Sequence, residues 1–278
     1  MPQVVSKSLA KAGDTSRPSS TKASSSSSDN LIMKNSHQHP GLSSTWKNSL
    51  IIAFHGAAAS TYGFAICWQN VSEASRLLYL RSNPLVRIYG RWRFLTYNCL
   101  ILQFVAFSLC LTAHFVPKLR RPRDFVFTSL AFPIGIVVVT TFWGVWMSLG
   151  RAFIFPIELE PYYPPWLNHI THTIIAPINL IELLAFRKQY SSDKKAIATL
   201  TGYTVAYTSY LMYIKWQTGR FVYPFLNHFT PVGVGVFIVG LTAMVIGLYK
   251  CGKYMHDAAH GNGVVRRKLS NGAAKKKH

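Results

Sequence analysis

Two side chains in this sequence have the types and the placing for acyl transfer: Thr96, in Tyr89-Gly-Arg-Trp-Arg-Phe-Leu-Thr96, and His172, in Trp166-Leu-Asn-His-Ile-Thr-His-Thr173. A threonine hydroxyl is a weak nucleophile until a neighbouring base takes its proton, and histidine titrates in the range that lets it do so near neutral pH. The intermediate is an acyl-threonine that water then hydrolyses. Such a site also needs a donor for the developing oxyanion, and Asn168, His169 and His228 are the candidates. Arg91 and Arg93 flank the entrance and are placed to hold a substrate carboxylate. Taken one at a time, these residues have plainer readings. A threonine in a membrane helix usually bonds its own i−4 carbonyl. An ionisable group at membrane depth, by contrast, marks a functional site by default.

The elements that must position this pair are apolar spans. Of 278 residues, 49 % are hydrophobic and 14 % charged, against about 25 % charged in an ordinary soluble domain. The spans lie near residues 48–69, 92–116, 125–149, 166–186, 196–216 and 232–249. Each approaches the roughly 20 residues needed to cross a bilayer, where only internally hydrogen-bonded helices are tolerated. The expected fold is all-α, a polytopic six-helix transmembrane bundle. Pro133 and Pro177 fall inside the third and fourth spans and predict kinks.

Helix geometry brings Thr96 and His172 to one depth. The second and fourth spans run in the same direction, so their N-terminal ends share a side. At 1.5 Å per residue, Thr96 and His172 lie about 6 and 9 Å below Trp92 and Trp166. At 100° per residue, Asn168, His172, Asn179 and Glu182 form one stripe of about 80°, and His169 falls outside it. Thr96, Cys99, Gln103 and Cys110 make a comparable stripe on the second span. Polar stripes face a bundle's interior, which makes His172 rather than His169 the partner of Thr96.

The net charge is +21, spread over the tails and short loops rather than gathered in one patch. Positive-inside bias accounts for that distribution better than nucleic-acid binding does. It places both termini in the cytosol, against one dissenting loop with Arg76, Arg81, Arg87 and Arg91. Residues 1–45 are Ser- and Lys-rich, with serine throughout 24–28, and read as a disordered cytosolic tail. Residues 46–250 hold the transmembrane domain, and 251–278 a second basic tail. That tail ends Lys275-Lys-Lys-His278, a dilysine-like address for retrieval to the endoplasmic reticulum through coat-protein recognition; membrane lipids are the other expected contact. The first thirty residues contain no apolar stretch of signal-peptide type. Four isolated cysteines form neither a disulfide framework nor a zinc motif.

In order along residues 89–250, several motifs resemble the androgen-induced and androgen-dependent TFPI-regulating membrane proteins. They are Tyr89-Gly-x-Trp-x-Phe-Leu-Thr96, Arg123-Asp124, Leu130-Ala-Phe-Pro-x-Gly135, Phe142-Trp143, Trp166-Leu-Asn-His-x-x-His-Thr173, Leu180-Ile-Glu182 and Val222-Tyr-Pro-Phe-Leu-x-His228. The resemblance implies an intramembrane threonine hydrolase of fatty acid esters of hydroxy fatty acids, or of a related lipid ester. It makes Thr96 the nucleophile and His172 the base, with no metal or other cofactor. Asn98 and Asn227 depart from the family's pattern, which bears on the substrate rather than on the reaction class. Two other classes compete: a haem- or metal-binding redox protein, using His169-x-x-His172, and a non-enzymatic transporter or scaffold. No HExxH, GxSxG or HxxxxD motif occurs.

Overall fold

The computed structural model describes residues 42–74, 76–77, 89–154 and 163–261. The chain divides into two units, Met1–Trp46 and Lys47–His278, and the second holds the helical bundle. The serine run, Arg81, Arg87 and the Lys275–His278 tail lie outside the described residues.

Among the described residues the protein is helical, with no strand. The helices are α1 (Leu42–Val71), α2 (Leu95–Thr112), α3 (Arg120–Val126), α4 (Phe132–Leu149), α5 (Pro165–His172), α6 (Ile175–Ala185), α7 (Asp193–Thr218) and α8 (Pro231–His260). Four stretches are long and apolar enough to cross a membrane: Trp46–Val71, Leu95–Thr112, Pro117–Leu149 and Pro231–His260. Their outer faces expose large apolar side chains, among them Phe64, Phe104, Val105 and Met147. On α8, Val232, Val236 and Val239 are each more than two-thirds exposed, the pattern of a helix whose solvent is lipid. This is an all-α, multi-pass membrane protein.

The third span loses regular α-helical geometry where Pro133 predicts a kink. Pro133 has no N–H for the Ser129 carbonyl, and its ring crowds that carbonyl. The preceding residues, Phe127–Ala131, widen into a π turn that joins α3 to α4. Just before the proline, Ala131 O accepts side chains from two other helices, Gln103 Nε2 at 2.7 Å and Asn179 Nδ2 at 3.4 Å. These bonds tie α2, the third span and α6 together at the centre of the bundle. Gly135 makes the approach possible, since a Cβ there would lie 2.6 Å from both amide nitrogens.

The fourth span, expected over 166–186 with a kink at Pro177, goes further than a kink and divides into two helices. It breaks between α5 and α6, with Thr173 at φ −126° and ψ −56°. Pro177 supplies the reason, as it cannot donate to Thr173 O. The chain compensates locally: the Thr173 and Ile174 amides both bond His169 O at 2.9 Å, and Ala176 N bonds Thr173 O at 3.2 Å.

The fifth span is α7, long but more polar than the four stretches above. Its threonines hide their hydroxyls against the helix: Thr199, Thr204 and Thr208 donate to carbonyls four residues back.

A charged cluster closes the bundle below the break. Glu182 of α6 accepts from His55 Nε2 of α1 at 2.8 Å, from Cys110 Sγ of α2 at 3.2 Å and from the Lys188 ammonium. His55 Nδ1 also meets His114 Nε2 at 2.9 Å, and His256 of α8 accepts from the Lys188 amide at 2.9 Å.

Candidate active site

The N-terminal end of α2 and the short helix α5 meet at a cavity of about 480 Å3. Thr96 is the second residue of α2 and His172 the last of α5. Thr96 Oγ1 lies 3.1 Å from His172 Nε2. Both side chains line the cavity, whose other walls come from α4, α7 and α8 and are mostly apolar.

Every contact of the His172 ring constrains it. Its Nδ1 faces three oxygens: Asn168 Oδ1 at 2.9 Å, Thr171 Oγ1 at 3.0 Å and Asn168 O at 3.2 Å. The Thr171 hydroxyl donates to Leu167 O at 2.9 Å, so its oxygen can only accept from the ring. Nδ1 therefore carries the hydrogen, and Nε2 presents its lone pair to Thr96. One ring face stacks on Phe142 of α4, with centroids 3.7 Å apart and planes 12° apart. The helix break serves this arrangement too. Ala176 N bonds Thr173 O instead of reaching His172 O, and the indole Nε1–H of Trp143 donates to His172 O at 2.8 Å.

The other residues singled out from the sequence separate into two groups. Asn168, His169 and Arg91 line the cavity with the pair. Asn168 Oδ1 is turned to His172, while the exposed His169 bonds Thr173 Oγ1 through Nδ1 at 3.1 Å. Arg91 donates to Asn70 Oδ1 at 3.3 Å. Arg93 and His228 are not among the cavity-lining residues. Arg93 is buried, bonds Gly90 O at 2.9 Å and lies over the Phe94 ring; His228 packs 5.2 Å from the Phe153 ring.

Sequence reasoning gave no site role to Phe142, Tyr207 or Tyr223 and read Trp143 as a belt or packing residue, yet all four line the cavity. Phe142-Trp143 and the tyrosine of Val222-Tyr-Pro-Phe stood inside motifs; Tyr207 carried no signal of its own.

One group of metal-type ligands exists among the described residues, away from the cavity: His55, Cys110 and Glu182, whose ligand atoms lie within 4.8 Å of one another. The Lys188 ammonium already bonds Glu182 and sits 3.9 Å from Cys110 Sγ, so a cation from the chain itself holds that place.

A family model described as FAR-17a/AIG1-like protein matches residues 48–257 of this chain. The chain belongs to the FAR-17a/AIG1-like family. It is 31 % identical over 184 residues to the androgen-induced gene 1 protein of Homo sapiens, covering 60 % of this chain and 77 % of that one. To the androgen-dependent TFPI-regulating protein of Mus musculus it is 31 % identical over 173 residues, 59 % of this chain and 75 % of that one. The Rattus norvegicus protein of the same name is 30 % identical over 191 residues, 66 % and 83 % of the two chains. No solved structure matches. The stretch matched by the FAR-17a/AIG1-like family takes in every motif quoted above, and with them Thr96, Asn168, His172 and Tyr223 of the cavity.

Proposed function

We propose that this protein is an intramembrane hydrolase of lipid esters, with Thr96 as nucleophile and His172 as general base. The observation that carries the reading is the 3.1 Å contact between Thr96 Oγ1 and the lone-pair nitrogen of His172, inside a largely apolar cavity. As Oγ1 attacks the ester carbonyl, its proton passes to Nε2. The tetrahedral intermediate collapses, and the leaving alkoxide takes that proton from Nε2, leaving an acyl-threonine. Water then attacks the acyl carbon, giving its proton to Nε2; the proton returns to Thr96 as the carboxylic acid departs.

Asn168 acts through His172. By accepting the Nδ1 hydrogen at 2.9 Å it holds the tautomer that leaves Nε2 free, the role an acidic or amide residue plays in other triads. The apolar walls suit acyl chains, and Arg91 on the same cavity suits a carboxylate. Fatty acid esters of hydroxy fatty acids carry both features, as do related lipid esters with a free acid. The endoplasmic reticulum membrane is the proposed location.

Labelling with a fluorophosphonate probe tests the assignment. Wild type and His169→Ala are expected to label, Thr96→Ala not at all, and His172→Ala at a rate lower by about 10²-fold or more. Undiminished labelling of Thr96→Ala rules the nucleophile out. Hydrolysis of lipid esters with and without a free carboxylate, by the same panel, tests the substrate class.

A further inference from the structure

The turn that delivers Thr96 is irregular backbone at the entry to the second span, and three tyrosines from a different part of the chain hold it. Gly90 sits at φ 60°, Arg91–Arg93 form a single 3-10 turn, and Phe94 is extended at φ −95° and ψ 125°. None of this is regular α-helix, so its backbone groups need partners from elsewhere. Tyr210 of α7 donates to Tyr89 O at 3.3 Å, Tyr207 of α7 donates to Arg93 O at 2.9 Å, and the Leu95 amide donates to Tyr223 Oη at 2.8 Å. The Tyr207 and Tyr223 hydroxyls are themselves 2.9 Å apart.

The direction of these bonds is determined. Tyr207 has one hydroxyl hydrogen, committed to a carbonyl that can only accept, so Tyr223 must be the donor between the two phenols. The result is a single relay: Leu95 N–H to Tyr223, Tyr223 O–H to Tyr207, Tyr207 O–H to Arg93 C=O. It closes a loop across Phe94, two residues before Thr96. Both phenols also line the cavity that holds Thr96 and His172.

We infer that Tyr207 and Tyr223 are positioning residues for the nucleophile, a hydroxyl clamp fixing where α2 begins and hence where Thr96 Oγ1 stands against His172. The clamp's catalytic meaning rests on the function proposed above; its mechanical meaning does not. Tyr203 lies one turn before Tyr207 on α7, outside the relay, so its hydroxyl is the internal control.

The test uses the full chain in detergent or nanodiscs, as wild type, Tyr207→Phe, Tyr223→Phe, the double variant and Tyr203→Phe. Each keeps its ring and loses one hydroxyl, or two in the double variant. Two quantities are measured: the acylation rate of Thr96 by a fluorophosphonate per folded molecule, with kcat and KM for ester hydrolysis, and hydrogen exchange over residues 89–98. A misplacement of about 1 Å in a nucleophile costs on the order of 10²-fold in rate. Both single Phe variants are therefore expected to lose roughly 10- to 100-fold in acylation and kcat at unchanged KM. The double variant should be no slower than the slower single, because the relay acts as a unit. Exchange over 89–98 should rise about tenfold, the worth of one neutral hydrogen bond. Tyr203→Phe should match wild type in both quantities. Unchanged acylation in both variants, or a loss accounted for by the unfolded fraction alone, overturns the catalytic role. If wild type itself shows no Thr96-dependent labelling, the proposed function fails, and exchange alone decides the clamp: a rise in both variants supports it, and no rise overturns it.

Discussion

At the scale of single residues, the site depends on which nitrogen of His172 holds the proton. Three oxygens around Nδ1 settle this, and Asn168 Oδ1 is the closest of them at 2.9 Å. If Asn168 fixes the tautomer, Asn168→Ala should slow acylation by about 10-fold or more at unchanged KM. Asn168→Asp should retain most of the rate, because a carboxylate accepts the same hydrogen. Equal losses in the two variants would mean that the amide's donor, not its oxygen, is what matters, and would return Asn168 to the oxyanion role entertained from the sequence. The i, i+4 spacing of Asn168 and His172 is legible in the sequence because both precede the helix break. Their mutual contact is not, since the angular stripe that contains both gives a shared face but no rotamer. The stripe's continuation to Asn179 and Glu182 assumed one unbroken helix; α6 is a separate helix, and both residues are buried in it by its own packing.

At the scale of elements, two prolines mark the bends and the sequence leaves their consequences open. Pro133 announces a kink, but a π turn and a carbonyl shared by Gln103 and Asn179 depend on which helices lie alongside. Gly135 is the tightest point of that packing. Gly135→Ala would put a methyl 2.6 Å from two amide nitrogens and 2.8 Å from Ile175 Cγ2. Overpacking of this kind costs about 1–3 kcal/mol, and thermal unfolding in detergent should show a lower midpoint; a midpoint equal to wild type would mean that the amides swing aside freely. The α7–α8 junction makes a pH prediction. At the start of α7, Asp193 Oδ1 accepts from Lys253 at 2.5 Å and from Tyr249 at 3.0 Å, both on α8. The Lys253 hydrogen bond holds the carboxyl below its ordinary value, burial opposes it, and the Tyr249 bond adds to the lowering. A depressed carboxylate pKa stabilises the fold at pH above the unfolded value of about 3.9, and that contribution disappears as pH falls through the folded value. The midpoint difference between wild type and Asp193→Asn should thus be present at neutral pH and close below about pH 4. A constant difference from pH 7 to pH 3 would show that the charge is not its source.

At the scale of the whole molecule, the two polar centres do different work. One is the cavity with Thr96 and His172, where the charges are few and the walls apolar. The other is the Glu182 cluster, on the far side of the helix break, where the Lys188 and Glu182 side chains are all but fully buried. Composition shows that ionisable groups in these spans must pair, but only the assembled bundle shows that α1, α2, α6 and the segment before α7 supply the partners. A buried ion pair is weak evidence of net stabilisation, whereas removing one partner leaves an uncompensated charge and costs about 3–5 kcal/mol. Lys188→Met should therefore lower the unfolding midpoint sharply, although the new side chain is apolar and of similar length. Adding Glu182→Gln to that variant removes the stranded charge and should recover much of the loss. If the double variant is instead as unstable as the two single losses added together, packing rather than charge holds this end of the bundle. On the proposed function, folded Lys188→Met at low temperature should still acylate Thr96 at the wild-type rate, because the Thr96 turn is anchored by α5, α7 and the Tyr223 loop rather than by the cluster.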